Sequence, residues 1–403
     1  MEILFLTPEL PYPAHSGGTI KTAALLAHLR TQHRVHLICF TRRPPTAEQA
    51  RWVDKHGPAD LVSLNRERTA ANLVASYLSA VPLSVHRNRS REMATLVSRA
   101  IHARVYGAVF VDGWLMAQYL PARMEGVKLL HQHNAEHVMW RRHVDLEHNP
   151  IRRALLRLES QRVRRYEAAI LPRFDTVFAV SQQDRRRLAS LGAEEAHLRV
   201  LPNVAEGDLL DRPPLSPERT GPTILFLGTL SWEPNLVGLE AFLRAVLPRI
   251  REKLPGARFV IAGRGGSARL AQLAVRAQGV DLVGPVDDPE PLYRRAHVFV
   301  DVSLGGAGSR VKVLNAMARG LPVIATPSAA EGLEAVPGEQ LLVAEDPGSF
   351  ADAIVRVMSD PGLWTNLSRR GRLLVRERYV PERAFLSLDE VLTDAALADG
   401  RPS

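Results

Sequence analysis

The chain has 403 residues, 46% hydrophobic and 24% charged, which suits a globular protein of two or three domains with a sizeable core. Its formal charge of +9 points to anionic partners, and charge alone does not choose among nucleotide phosphates, anionic lipids and nucleic acid. A single cysteine, Cys39, rules out an internal disulfide and a cysteine-based metal cluster. No apolar run approaches the roughly 18 residues of a membrane-spanning helix. The opening MEILFL breaks at Pro8 and Glu9, too early for a signal peptide.

The apolar run at 2–7 predicts a first strand. A loop follows with Pro8, Pro11, Pro13, Gly17 and Gly18, then an amphipathic helix over 19–30 and a strand over 35–40. This βαβ opening predicts a parallel sheet. Gly17 and Gly18 at the helix start admit two readings, a backbone approach to phosphate or an ordinary turn. Helices are expected over 48–56, 69–79 and 91–103, with a short strand over 60–64. Strands over 108–111 and 127–130 end at Asp112 and at His131-Gln132-His133-Asn134, with Glu136 and His137 just beyond. Ligands of parallel α/β sheets sit at such strand ends.

The spacing His131-x-His133-x3-His137 superficially resembles a metal-ligand pattern, yet it lacks two histidines on one helix face with a glutamate between them. A polar active-site cluster fits better, with satisfied structural histidines as the alternative. The helix expected over 151–170 carries Arg152, Arg153, Arg157, Arg162, Arg164 and Arg165. A solvated basic face is preferred to contact with anionic lipid, because Glu159 and Glu167 interrupt the positive charge. Strands over 176–180 and 198–201 close the first half.

Residues 206–222 are proline-rich, polar and without period, as in a linker. Strands over 223–227, 258–262, 280–283, 298–302 and 322–325 then alternate with helices over 236–251, 270–277, 290–295 and 310–319. A strand over 341–343, a helix over 350–358 and further helices follow. The expected organisation is a domain of 1–205, a linker of 206–222, a domain of 223–380, and a C-terminal helix at 381–403 packing back on the first domain. The fold class is α/β, with two doubly wound Rossmann-like domains facing across a cleft.

One feature of the second half is electrostatically odd. Arg310 and Lys312 fall in the first turn of a helix, where the macrodipole disfavours cations by about 0.3–1 kcal/mol. No acidic residue in that turn offsets them, so an anion held by the helix start is expected. The alternative is two solvated surface cations.

The ordered set TPELPYPAHSGG, HQHNAEH, FAVSQQDRRRL, LPNV, FLGTLSWEPN, FVIAGRG, VGPVDDPEPLYRRAHVFVDVS and GAGSRVKVLNAMARGLPVIATP resembles the retaining GT-B glycosyltransferases of family 4 across nearly the whole chain. Two departures are plain. Ala307 and Asn315 stand where the family usually carries a Glu-x7-Glu pair, and Gly228-Thr229-Leu230-Ser231-Trp232 stands where many members carry Arg and Lys.

The resemblance implies roles. Arg310 and Lys312 would hold the leaving diphosphate, and Asn315 would meet the ribose hydroxyls. Gly17, Gly18, Gly228, Gly263, Gly308 and Ser309 would line the donor. Val286 would face the nucleobase. His133 would touch the transferred sugar, with Asp112, Asn134 and Glu136 around it or the acceptor. The implied donor is a UDP- or GDP-linked sugar, and no metal cofactor is expected because no carboxylate pair is positioned to hold a divalent ion on the diphosphate. The basic arginines of the first half fit an acceptor near the membrane, lipid-linked or polysaccharide, and the expected location is cytoplasmic, peripheral on the inner membrane face. A non-catalytic sugar-nucleotide binder and a nucleotide-sugar epimerase are the rival functions. Nucleic acid is disfavoured, since the basic residues are not interleaved with aromatics.

Overall fold

The computed structural model describes residues 1–41, 44–64, 69–79, 81–218, 222–304 and 310–398. They form two compact units, one of residues 1–202 with 384–398, the other of residues 203–304 with 310–383.

Among the described residues, the first unit holds seven strands: β1 Glu2–Thr7, β2 Arg34–Thr41, β3 Ala59–Ser63, β4 Ala108–Asp112, β5 Val127–Gln132, β6 Thr176–Ala179 and β7 Leu198–Val200. Their order is β3-β2-β1-β4-β5-β6-β7 and neighbours run parallel. Ile3, Leu4, Phe5 and Leu6 are all buried, because helices cover both faces of a parallel sheet and leave no polar side for alternation. The chain reverses its direction of sheet growth between β1 and β4. Ligands of such sheets bind beyond the strand ends at that switch point. Asp112 is the last residue of β4.

The second unit holds β8 Thr223–Leu227, β9 Arg258–Ala262, β10 Val280–Gly284, β11 Val298–Asp301, β12 Val323–Ala325 and β13 Leu342–Val343. The order β10-β9-β8-β11-β12-β13 places its switch point between β8 and β11. Period-two geometry sorts the strand residues onto two faces. Ile224, Phe226, Val298, Val300 and Ile324 pack into one core, while Leu225, Phe299, Val323 and Ala325 pack into another. Each buried Val, Leu, Ile or Phe side chain among them contributes about 1.5–3 kcal/mol.

The C-terminal helix Leu386–Ala398 is part of the first unit. Asp389 lies 2.8 Å from His28 Nε2, and Ser387 Oγ donates to the Val200 carbonyl at 2.6 Å.

Several local expectations change. The first helix begins at Gly17, so Gly17 and Gly18 are its opening residues, behind a Ser16–Thr19 capping box. The helix expected over 236–251 is not continuous. Glu233–Ala241 passes into a π-helical segment, Phe242–Val246, and then Leu247–Lys253. Pro248 has no N–H for the ladder there, and the register shift accommodates it.

The stretch expected to lack regular structure contains the short helix Asp208–Asp211, with Leu209 and Leu210 buried. Arg372 Nη2 donates to the Leu210 carbonyl at 2.7 Å and Arg319 Nη1 to the Pro213 carbonyl at 2.8 Å. These two arginines anchor it to the second unit. The helix Glu136–Leu146 goes beyond the sequence expectations, and Pro361–Arg378 is one of the further helices expected after residue 358.

Candidate functional site

Two polar clusters lie at the two switch points, one in each unit. In the first, the parallel register sets Asp112 beside His131. Asp112 Oδ1 is 2.7 Å from His131 Nδ1 and 2.9 Å from His133 Nε2. Its Oδ2 accepts from Thr7 Oγ1 at 3.0 Å and Thr22 Oγ1 at 2.6 Å. Burial alone would raise this carboxyl. The charge and hydrogen bonds of His133 and His131 outweigh burial and hold it well below the usual carboxylate range.

An ionised Asp112 accepts only, so both imidazoles present N–H to it and their tautomers are fixed. Burial, then the charges of Lys21 and His133, push His131 down to about 3. Its Nε2 has no hydrogen-bond partner among the described residues. His133 keeps its side chain 24% exposed, and its Nδ1 is not engaged by Asp112. The arrangement therefore presents one oriented imidazole at the strand ends, backed by a buried carboxylate.

Ligand-capable atoms of Asp112, His131 and His133 all lie within 4.8 Å of one another, a spacing a metal ion could use. As it stands Asp112 accepts from four protein donors, so the same cluster is also satisfied as a hydrogen-bonded one. His137 stands apart from it. Its Nδ1 is 2.6 Å from Glu167 Oε2.

Glu167 also accepts the backbone N–H groups of Glu136 and His137, each at 2.9 Å. The helix Glu136–Leu146 has no side-chain cap of its own, so a carboxylate from the helix Pro150–Ile170 caps it. Glu136 is buried, with Asn134 Nδ2 at 3.5 Å. Burial and then the Glu167 charge push it up to about 8.

Lys21 is a functional-site neighbour that the sequence reading missed. It is fully buried in the first turns of the helix Gly17–Gln32, and its Nζ donates to the Leu201 carbonyl. Burial holds its ammonium well below the usual lysine range, with Asp112 pulling the other way. The signal was present: Lys21, Leu25 and Leu29 repeat at i, i+4, i+8 on the buried stripe.

In the second unit, Lys312 and Arg310 are not solvated surface cations. Lys312 Nζ lies 2.8 Å from each of Asp301 Oδ1, Asn235 Oδ1 and Ser303 Oγ. It also sits 4.7 Å from the centroid of the Phe226 ring. All three of its protons have protein acceptors. Burial would raise Asp301, but Lys312 by charge and hydrogen bond, with Ser303, holds it below the usual range. Burial lowers Lys312 and Asp301 partly restores it. The anion expected from the helix dipole is thus partly supplied by the chain, from the end of the adjacent strand.

Arg310 is the N-cap residue of Val311–Arg319 and is buried. It donates from Nε to the Glu331 carbonyl at 2.9 Å and from Nη2 to the Ser328 carbonyl. Gly320 closes the helix in the left-handed region, as its position predicts.

Asn315 is held at both ends of its amide. Nδ2 donates to Glu206 Oε1 at 2.7 Å, and Oδ1 accepts from the Glu206 N–H at 3.0 Å. Gly228 and Gly263 immediately follow β8 and β9. A Cβ on Gly263 would fall 1.7 Å from the Gly228 carbonyl oxygen, so strand packing already demands glycine there. Val286 lies just past β10, half-buried. Gly308 and Ser309, with Ala307, lie outside the described residues.

The glycosyltransferase family 4 model matches residues 16–206, and the glycosyl transferases group 1 model matches residues 221–360. A protein of the cps region of Klebsiella pneumoniae is 23% identical over 397 residues, 96% of this chain and 98% of that one. The phosphatidyl-myo-inositol mannosyltransferase of Mycobacterium leprae is 30% identical over 210 residues, about half of each chain (50% and 51%). Sucrose-phosphate synthase of Thermosynechococcus elongatus shares the fold at TM-score 0.70 and 18% identity, covering 99% and 100% of the two chains. Anabaena HepE in complex with UDP does so at 0.67 and 15%, covering 98% and 100%. With family models on both halves of the chain and two parallel-sheet units of this kind, the protein belongs to the glycosyltransferases of the GT-B fold.

Proposed function

We propose that the protein moves a hexosyl group from a UDP- or GDP-linked sugar to an acceptor hydroxyl, with retention, in the assembly of a cell-surface polysaccharide or glycolipid. The carrying observation is that the family 4 and group 1 models fall on successive halves of one chain. A structural neighbour bound to UDP-glucose supports the donor class, and the Klebsiella relative from a cps region supports the surface-polysaccharide role.

In this reading the anomeric carbon–phosphate oxygen bond breaks as the acceptor oxygen bonds on the same face. The acceptor proton passes to the departing phosphate oxygen, so no separate protein base is required. Negative charge grows on the leaving diphosphate. The N–H groups of the helix start stabilise it, and Arg310 and Lys312 do so by exchanging protein acceptors for phosphate oxygens, an effect of up to about 10²–10³ in rate per group. Gly17 and Gly18 allow backbone approach to the donor.

His133, oriented by Asp112, donates to or accepts from the transferred sugar. Asn315 and the Glu206 carboxylate it holds receive the ribose hydroxyls, which restores a carboxylate where the family's second glutamate is replaced. Transfer is metal-independent, because the oxygens of Asp112 are already engaged by protein donors.

The test is turnover by the full chain across a panel of UDP- and GDP-sugars and acceptors with EDTA present, with the product's anomeric configuration read by NMR. Retained product in EDTA is expected. Nucleotide binding without turnover across the panel would make the protein a non-catalytic binder. An inverted anomer would remove retention, and abolition by EDTA with rescue by a divalent ion would remove metal independence.

A further inference from the structure

By its charge pattern alone the helix Pro150–Ile170 carries a solvated basic face, because Glu159 and Glu167 interrupt its charge. The structure removes that reason. Both glutamates are buried. Glu159 pairs with Arg162 at 2.7 Å and accepts the Leu83 N–H at 2.5 Å, while Glu167 caps the neighbouring helix. They are the only acidic residues of this helix, so its exposed charge is purely basic, with Arg152, Arg157, Arg164 and Arg165 outward.

The same helix leaves apolar surface uncovered. Ile151, Leu155, Leu158 and Arg162 are spaced 4, 3 and 4 residues apart and lie on one stripe. The Arg162 end of that stripe meets the helix Ala70–Leu78. There Arg162 lies 4.5 Å from the centroid of the Tyr77 ring and Nη2 donates to Ser76 Oγ at 2.9 Å. Further along the stripe Ile151 is 73% and Leu155 55% exposed; beyond Tyr77, Val74 is 59% and Leu78 85% exposed.

Of the fourteen large apolar side chains exposed among the described residues, seven belong to these two helices. Single exposed apolar residues need no explanation, but a concentration within one bonded helix pair does.

We propose that this helix pair docks the protein on an anionic lipid surface, with the apolar residues entering the acyl boundary and the outward arginines on the headgroups. Charge complementarity selects the occupant. Four exposed arginines with no exposed acidic residue on their helix favour a polyanionic sheet, and apolar side chains beside them favour one with a hydrocarbon layer beneath. No described helix is long and apolar enough to cross a membrane, so the contact is peripheral. The inference rests on surface chemistry and goes beyond the reaction proposed above.

The test is co-sedimentation of the full chain with vesicles of phosphatidylglycerol and phosphatidylcholine, against phosphatidylcholine alone. Two variants accompany it, each checked for an unchanged Tm: Arg152→Glu/Arg157→Glu/Arg164→Glu and Val74→Ser/Leu78→Ser/Ile151→Ser/Leu155→Ser. Binding at least tenfold stronger to the anionic vesicles is expected, weakened by 0.5 M salt (about three times physiological ionic strength). The charge variant should lose about fivefold per arginine or more, and the serine variant at least tenfold. Equal binding to both vesicle types, or wild-type binding by either folded variant, would overturn the proposal. So would a dimer in vesicle-free sedimentation that the serine variant dissociates, since the surface would then belong to a second copy of the chain.

Discussion

Lys312 Nζ and Asp301 Oδ1 lie 2.8 Å apart at the β8/β11 switch point, and they make a buried ion pair where the sequence shows only a cation. The pair explains how a helix start tolerates a lysine. The opposing charge comes from eleven residues earlier, across the end of β11. It also means that Lys312 acts on any ligand as half of a neutral pair.

Lys312→Ala should therefore cost stability as well as turnover. It leaves the Asp301 carboxylate buried without its counter-ion, a loss of about 3–5 kcal/mol. The double variant Lys312→Ala/Asp301→Ala should recover more than half of that in urea unfolding. A single variant within about 1 kcal/mol of wild type would show that the pair is not structurally coupled. Loss of the UDP-induced thermal shift in the folded double variant would assign Lys312 to the diphosphate.

Asp112→Asn should act on the reaction through His133. The amide cannot accept from two imidazoles and two hydroxyls as the carboxylate does, so the ring loses its fixed tautomer and orientation. Turnover should fall by about 10²-fold or more, with donor KM changed far less. A variant whose kcat stays within threefold of wild type would remove the positioning role.

What the sequence made legible is the part governed by local periodicity. The strands around Phe5, Phe110, Phe226 and Phe299 are apolar runs between turns, and they are strands. What stayed hidden depends on which way a helix faces and on contacts distant in sequence. Glu167 looks like surface charge until the helix Glu136–Leu146 is placed against it, and Lys312 looks uncompensated until β11 delivers Asp301. Lys21 sat on a readable apolar stripe, yet a lysine on such a stripe is ordinarily expected to snorkel outward, not to stay buried.

Stability should depend on pH in two opposite ways. Glu136 is pushed up to about 8, so between pH 5 and 8 the native state holds a proton that the unfolded chain has released. Stability from this group falls as pH rises, by roughly 3 kcal/mol across that window. His131, pushed down to about 3, binds its proton first in the unfolded chain, so its contribution falls as pH drops from 6.5 toward 3. Urea unfolding at several pH values should show Glu136→Gln flattening the alkaline limb and leaving the acid limb in place. An unchanged alkaline limb would mean that Glu136 is ionised in the native protein.

Gly18 and Gly263 separate ligand-driven from packing-driven glycine. A Cβ on Gly263 would collide with the Gly228 carbonyl oxygen at 1.7 Å, at a φ of +152° that side chains rarely adopt. Gly263→Ala should therefore destabilise by about 2 kcal/mol or more whatever binds nearby. A Cβ on Gly18 would meet only Ser16 Oγ, at an ordinary 3.9 Å, and it lies inside a helix. Gly18→Ala should leave the Tm unchanged or raise it slightly, since alanine is the better helix former by up to about 1 kcal/mol. If the backbone at Gly18 approaches the donor phosphates, the same substitution should raise donor KM at least tenfold. A Gly18→Ala protein with wild-type Tm and wild-type KM would remove the first helix start from the donor site, and would leave the cluster around Asp301, Arg310 and Lys312 as the phosphate-facing element.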